Sequence, residues 1–156
     1  MTPPDTGEPA PGAALHFRAL ERLYASAPDN ELFASRLEVT GEGHARIQFE
    51  ITESTYHAAG AAHGTIYFKM LDDAAFYAAN SLVTDRFLLT TSFNLHFTKP
   101  VREGPVIAEG RWISGRRRVF VALGIDQPRF GGWPNRRAAS PRSYPRVSAT
   151  PVPSSW

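Results

Sequence analysis

The chain has 156 residues, of which 42% are hydrophobic and 21% charged, the composition of one globular domain with a modest core. It has no cysteine, which excludes a disulfide framework, a cysteine nucleophile and a thiolate metal site, and which suits a cytoplasmic protein. The net charge is +2, but it does not describe the whole chain evenly. Five arginines and no acid lie in residues 127–156, and residues 1–126 are mildly acidic. No apolar run reaches the roughly 18 residues of a membrane span, so we expect no membrane partner.

Both ends of the chain are rich in proline. Residues 1–12 hold four prolines, and residues 127–156 hold six together with the five arginines and no leucine or isoleucine. We predict a disordered leader (1–12), a folded domain (13–126) and a disordered tail (127–156). A basic arm for nucleic acid is the alternative for the tail, but no recognisable module accompanies it, so we expect no nucleic-acid partner.

The first third of the chain predicts one helix and two strands. The helix spans about 13–27, with an apolar stripe of Leu15, Leu20, Leu23 and Tyr24. Strands follow at 33–39 and 44–51, and Gly41-Glu42-Gly43 between them is typical of a hairpin turn.

The middle of the chain predicts a second helix and three more strands. After a loop (52–62), the helix runs over about 63–83. The next strand, residues 89–97, alternates apolar Leu89 and Phe93 with polar Thr90 and Ser92, and two more follow at 106–114 and 118–125. The order α-β-β-α-β-β-β predicts an α+β fold in which an antiparallel sheet packs on one long helix.

Two adjacent carboxylates on this helix face different surroundings. At 100° per residue, Thr65, Phe68 and Phe76 lie within about 40° of Asp72. Asp73 falls on the more polar side, with Lys69 four residues back as a partner. A carboxylate among apolar side chains is costly, and its raised pKa suits a base or a nucleophile. Asp72 is therefore the catalytic candidate, against the alternative of a structural hydrogen bond, and Asp73 is interpreted as a surface charge.

The start of the helix offers hydrogen-bond donors. The first turn has free N–H groups and the positive end of the helix dipole, and Gly64 after His63 lacks a side chain that would block approach. A carbonyl oxygen placed there would be polarised, as in an oxyanion hole.

These residues together resemble the hotdog-fold acyl-CoA thioesterases of the phenylacetate-pathway type. That family has a His-Gly-Gly turn, a hydrophobic helix and an acid nine positions after the histidine; here His63-Gly64-Thr65 and Asp72 keep the spacing. The strand ending Phe97-Thr98-Lys99-Pro100, with Gly104 just after it, is also similar. The resemblance covers roughly residues 30–126.

The resemblance implies a curved antiparallel sheet around one long helix, in homodimers or homotetramers with active sites at the subunit boundary. Asp72 would be the general base or nucleophile, and the Gly64 N–H would polarise the thioester carbonyl. His57 stands where many relatives have an asparagine that holds water or substrate. Thr90 stands where some use a serine, and Thr65 replaces the second glycine, next to the motif histidine His63.

The substrate implied is an acyl-CoA thioester, whose hydrolysis requires no cofactor. The acyl chain would lie near Phe68 and Phe76. Arg116, Arg117 and Arg118 could meet CoA phosphates, unless they form a solvated turn. No metal site is expected, because the histidines are scattered.

Two other functions remain open. A non-catalytic hotdog protein that binds acyl groups or serves as a scaffold is favoured by the lack of any recognisable strand after Asp126, where the family has its last strand. A hotdog hydratase or dehydratase would pair an acid with His57 or His63. The sequence leaves acyl-chain preference and the choice between CoA and a carrier protein undecided.

Overall fold

The computed structural model describes residues 11–97 and 100–115 in full, and 120–128 and 146–151 as backbone. Helices α1 (Pro11–Ser26) and α2 (Gly64–Asn80) pack on a six-stranded sheet. Its strands are β1 (Ser35–Gly41), β2 (His44–Ile51), β5 (Leu88–Phe93), β6 (Gly104–Ser114), β7 (Phe120–Pro128) and β8 (Arg146–Pro151). A small second sheet pairs β3 (Tyr56–His57) with β4 (Ala61–Ala62).

The large sheet is antiparallel throughout, in the order β1-β2-β6-β7-β8-β5. The core between the sheet and the helices contains Phe17 of α1, Ile47 and Phe49 of β2, Met70 of α2 and Val106 of β6. The α+β class and the long helix against an antiparallel sheet are confirmed, as the hotdog arrangement requires.

Small residues let α2 lie close to the sheet. Gly110 of β6 pairs with Ala45 of β2 on one side and with Gly124 of β7 on the other. A Cβ at Gly110 would overlap the main-chain carbonyl of Ala74 in α2. The position of α2, and of every side chain that it presents, therefore depends on this glycine.

The apolar stripe of α1 differs from the predicted one. Phe17, Leu20 and Tyr24 are buried, at a spacing that places them on one helical face. Leu15 is 72% and Leu23 45% exposed, so these two residues of the predicted stripe point outward. The predicted hairpin turn is confirmed: β1 and β2 meet at Gly41 and His44, and Gly43 has a φ of 72°.

Strand β5 is shorter than predicted, and its inward face is different. It ends at Phe93, not Phe97, and Leu88 is buried whereas Leu89 is 49% exposed. A bulge between Thr90 and Ser92 shifts the alternation by one residue. Leu88 and Thr90 thus face inward before the bulge, and Phe93 packs against the core after it.

The expectation of no strand after Asp126 is wrong. β7 continues to Pro128, and β8 lies between β7 and β5, antiparallel to both, with Leu123 opposite Arg146 and Leu88 opposite Pro151. β8 has no leucine or isoleucine, so its composition did not indicate a strand. Hydrogen bonding to strands on both sides stabilises its extended backbone. The predicted leader up to residue 10 and the rest of the tail, 129–145 and 152–156, lie outside the described residues.

Candidate active site

Asp72 lies in the middle of α2, half-buried beside β5. The Thr90 hydroxyl donates a hydrogen bond of 2.9 Å to Asp72 Oδ1, and among the described residues it is the only hydrogen-bond partner of this carboxylate. Burial raises the pKa of Asp72 above its usual range; the Thr90 hydrogen bond opposes the rise, and the negative charge of Asp73 adds to it. The positive charge of Lys69 lowers this pKa, but among the described residues no cation is paired with the Asp72 carboxylate, as suits a base.

Asp73 is not the surface charge that we predicted. Its Oδ2 accepts a hydrogen bond of 2.6 Å from Lys69 Nζ, which confirms the predicted partner, but both side chains are largely buried, at 23% and 14% exposure. Lys69 also reaches Asp29 at 3.0 Å. Its ammonium lies 5.5 Å from the centroids of the Tyr24 and Phe33 rings.

The electrostatics of this cluster follow from burial and pairing. Burial raises the pKa of Asp73, and the Lys69 hydrogen bond and charge oppose the rise. Burial alone would lower the pKa of Lys69, but Asp73 and Asp29 raise it overall, which favours an ionised pair. From the helical angles we predicted that Asp72 lies on the more buried side of α2. The sequence does not reveal that α1 and the turn at 28–32 cover the side of Asp73.

The first turn of α2 is built by His63 and Thr65. His63 is the N-cap residue, and its Nδ1 accepts a hydrogen bond of 3.2 Å from the Thr65 N–H. Nδ1 also lies 3.0 Å from the Thr65 hydroxyl. No described residue accepts a hydrogen bond from the Gly64 N–H, so this donor is available at the positive end of the helix.

His57 lies next to this turn. The β3–β4 hairpin carries it, and its ring centroid is 6.5 Å from that of His63. The His57 Nδ1 accepts a hydrogen bond of 3.0 Å from the Ala59 N–H. Because Nδ1 is the acceptor in both histidines, each neutral ring carries its hydrogen on Nε2 and is a donor there. The predicted loop 52–62 is thus a hairpin that places a second donor at the start of α2.

Aromatic side chains flank Asp72 one turn away on either side. Phe68 is 46% exposed and packs edge-on against Phe93, with ring centroids 4.9 Å apart. Phe76 packs against Phe87 at 5.1 Å. This side of α2 therefore presents an apolar surface around the carboxylate, suited to an acyl chain.

The predicted site residues that the structure describes lie in two groups along α2. His57, His63, Gly64 and Thr65 meet at the start of α2, and Asp72, Thr90, Phe68 and Phe76 meet at its middle. Asp72 lies eight positions after Gly64 on α2, a rise of about 12 Å along the helix axis. Arg116, Arg117 and Arg118 lie outside the described residues.

Sequence reasoning missed Phe97, whose ring lies against Gly64. Strand alternation had placed it on the core face of a longer β5, and only the pairing with β8 reveals that the strand ends before it.

Other features of the described residues bear on the site less directly. A concavity of about 500 Å³ lies among β1, β2 and β6, lined by residues such as Arg36, Gln48 and Pro105, and includes none of the predicted site residues. Among the described residues, no group of three or more metal-ligating side chains converges. The described helices include none long and apolar enough to cross a membrane.

The comparisons with known proteins agree with this geometry. Residues 59–124, which contain every residue of the two site groups except His57, match the profile of the thioesterase superfamily. Over this region the chain is similar to proteins of the thioesterase superfamily. The phenylacetic acid degradation protein PaaI of E. coli has the same fold, with a TM-score of 0.69 over 90% of this chain and 94% of that one, at 16% identity.

Two curated proteins match this chain at the sequence level. A Saccharolobus solfataricus protein named as an esterase is 32% identical over 80 residues, 51% of this chain and 53% of its own length. The transcription factor FapR of Shouchella clausii is 28% identical over 116 residues, 71% of this chain and 58% of its own. The chain thus spans little more than half the length of the curated relatives that it matches.

Proposed function

We propose that this protein hydrolyses acyl-CoA thioesters to the free acid and CoA, at sites formed between two copies of the chain. Asp72 carries the proposal: it is a half-buried carboxylate with a raised pKa, it has no paired cation in the part of the chain that the structure describes, and it keeps the family spacing from His63. The similarity of residues 59–124 to the thioesterase superfamily and the apolar surface around Asp72 support the thioester as substrate.

The chemistry assigns a role to each end of α2. The Gly64 N–H donates to the thioester oxygen as negative charge develops there. His57 lies beside this donor, and its Nε2–H can hold the same oxygen or a water molecule. Asp72 either removes a proton from the attacking water or attacks the carbonyl itself, and Thr90 orients the carboxylate.

The length of the helix supports a site that two copies share. A carbonyl bound at the Gly64 N–H lies about 12 Å along the axis from the Asp72 position of the same chain, too far for one carbonyl group to contact both. A second copy across the exposed face with Phe68 would supply the missing carboxylate. We therefore propose a homodimer, alone or within a homotetramer, in the cytoplasm.

The rest of the substrate is assigned from the sequence pattern. Phe68 and Phe76 would contact the acyl chain, and Arg116, Arg117 and Arg118 would contact CoA phosphates. A phenylacetate-type acyl group is the first to test, because the motif resembles that family and because the E. coli PaaI protein, from a phenylacetic acid degradation operon, shares the fold.

The test is hydrolysis of an acyl-CoA panel, with thiol release and free acid both measured. Asp72→Asn should lower kcat by about 10²–10⁴, the usual contribution of a positioned base. Asp73→Asn is the matched control, since it makes the same change one residue away. Because it also breaks the pair with Lys69, its rate is taken per folded molecule, and that rate should stay close to that of the unchanged protein. Equal rates for the unchanged protein and Asp72→Asn would remove Asp72 from the mechanism.

A non-catalytic acyl-binding protein is the second candidate. The similarity to a transcription factor over 71% of this chain favours it, because that relative's name describes no enzyme. Binding of acyl-CoA by the unchanged protein without release of thiol or acid would favour this candidate over hydrolysis.

A further inference from the structure

The ring of Phe97 covers the first turn of α2. A Cβ built on Gly64 would lie 2.8 Å from Phe97 Cζ and 3.2 Å from Cε1, so the tip of the ring occupies the space beside the glycine. One turn further along, the Tyr67 ring meets Phe97 edge-on, with centroids 6.0 Å apart. Phe97 therefore lies directly against the residue whose N–H is the proposed oxyanion donor.

The two aromatic rings are held differently. Tyr67 is buried, and its hydroxyl accepts a hydrogen bond of 3.2 Å from the Val101 N–H. Phe97 lies on the outside of it, 64% exposed, in a segment (94–97) that follows the end of β5 and belongs to no strand. Little apolar area holds the Phe97 ring, so it can shift at lower cost than the tyrosine below it.

We propose that Phe97 forms a wall of the thioester carbonyl site at Gly64 and selects against acyl groups branched at the carbon next to the carbonyl. This inference rests on the proposed function. An oxygen bound to the Gly64 N–H brings the neighbouring acyl carbon towards the tip of the ring. A straight acyl chain can extend away from the Phe97 ring, whereas a branch at that carbon would need the space that the ring occupies.

The substrate pair that isolates this effect is butyryl-CoA and isobutyryl-CoA, which contain the same atoms and differ only in that branch. The unchanged protein should prefer butyryl-CoA in kcat/KM by about tenfold, and Phe97→Ala should bring the ratio to about twofold by raising the isobutyryl-CoA value. Phe97→Leu, which keeps an apolar side chain, should fall between them. Leu15→Ala is the control, because Leu15 is also exposed but lies on α1, and it should leave the ratio unchanged.

A stability measurement tests the contact without turnover. Gly64→Ala should lower Tm in the unchanged background, because its Cβ meets the Phe97 ring. In the Phe97→Ala background the same substitution should raise Tm, since alanine loses less conformational freedom than glycine on entering a helix.

The outcomes separate this inference from the function on which it rests. If the unchanged protein hydrolyses no member of the acyl-CoA panel, the proposed function fails and the inference fails with it. If it hydrolyses other members but neither of these two thioesters, hydrolysis stands and the inference is wrong. If both thioesters are hydrolysed and Phe97→Ala lowers or preserves both kcat/KM values equally, hydrolysis stands and the selection by Phe97 is wrong. A narrowed ratio together with the reversed effect of Gly64→Ala supports the proposal.

Discussion

Asp72 and Asp73 are adjacent in sequence, but they lie on two sides of α2 that have different surroundings. The side with Asp73 is the closed side, and the side with Asp72 is the open side. The Asp73 side is closed by α1 and the turn at 28–32, and Lys69 compensates the carboxylate at 2.6 Å. The Asp72 side has a hydroxyl partner and exposed aromatic rings, but no described residue places a cation against the carboxylate. A compensated buried carboxylate is structural, whereas an uncompensated one on an open apolar face is available for chemistry.

Removing the cation from the closed side should have the largest effect on stability. Lys69→Met leaves Asp73 buried without its partner, and we expect a loss of about 3 kcal/mol in the free energy of unfolding, measured by urea denaturation at pH 7. The exposed pair of Arg86 and Asp85 has the same 2.6 Å separation, so Arg86→Met is the matched control and should cost nothing measurable. Equal stability of the two variants would contradict the structural role of the closed side.

Removing the hydroxyl from the open side should affect catalysis more than folding. Thr90→Val deletes the hydrogen bond to Asp72, and we expect about a tenfold loss of kcat, since a hydrogen bond to a charged group contributes roughly 1.5–3 kcal/mol. Because this hydrogen bond lowers the pKa of Asp72, the acid limb of the pH–rate profile should also move to higher pH. Thr40→Val on β1 is the control, and a profile unchanged in Thr90→Val would argue against the role of Thr90.

The smallest predicted effect is a gain of stability when the charge of Asp72 on the open side is removed. Burial raises the pKa of Asp72 in the folded protein above its unfolded value, so the folded state binds the proton more tightly and loses stability as pH rises between the two values. Asp72→Asn should therefore have a higher Tm than the unchanged protein at pH 7, with the gap narrowing towards about pH 4. A lower Tm of this variant at pH 7 would contradict the sign.

The sequence predicts the elements and motifs of the molecule better than it predicts which side of α2 is covered. Residue types and local spacing reveal α2, the hairpin at Gly41 to His44, the Asp73–Lys69 pair and the motif of His63 to Asp72. They do not reveal which side of α2 another element covers, because that depends on how α1 docks through Phe17, Leu20 and Tyr24.

Strand pairing accounts for the other differences. β8 has few large apolar residues and owes its place to hydrogen bonds with β7 and β5, which are far from it in sequence. The same pairing sets the bulge after Thr90 and ends β5 at Phe93, and so determines that Thr90 meets Asp72 and that Phe97 is free to lie on Gly64. Local periodicity does not contain that information.

The central claim is that one site takes Gly64 from one copy and Asp72 from the other, and mixing two inactive variants tests it most directly. Asp72→Asn removes the carboxylate. Gly64→Pro removes the N–H at the first helical position, where His63, at φ −68° and ψ 143°, already has the backbone that precedes a proline. Because the proline Cβ would meet the Phe97 ring, both variants also carry Phe97→Ala, and the rate of Phe97→Ala alone is the normal rate.

Each variant alone should hydrolyse acyl-CoA at a small fraction of the normal rate. After unfolding and refolding together in equal amounts, half of the dimers should be mixed, and each mixed dimer should hold one intact site. The account predicts recovery of about one quarter of the normal activity, by the arithmetic of symmetric two-fold dimers. No recovery from a mixture shown to contain mixed dimers would contradict the shared site.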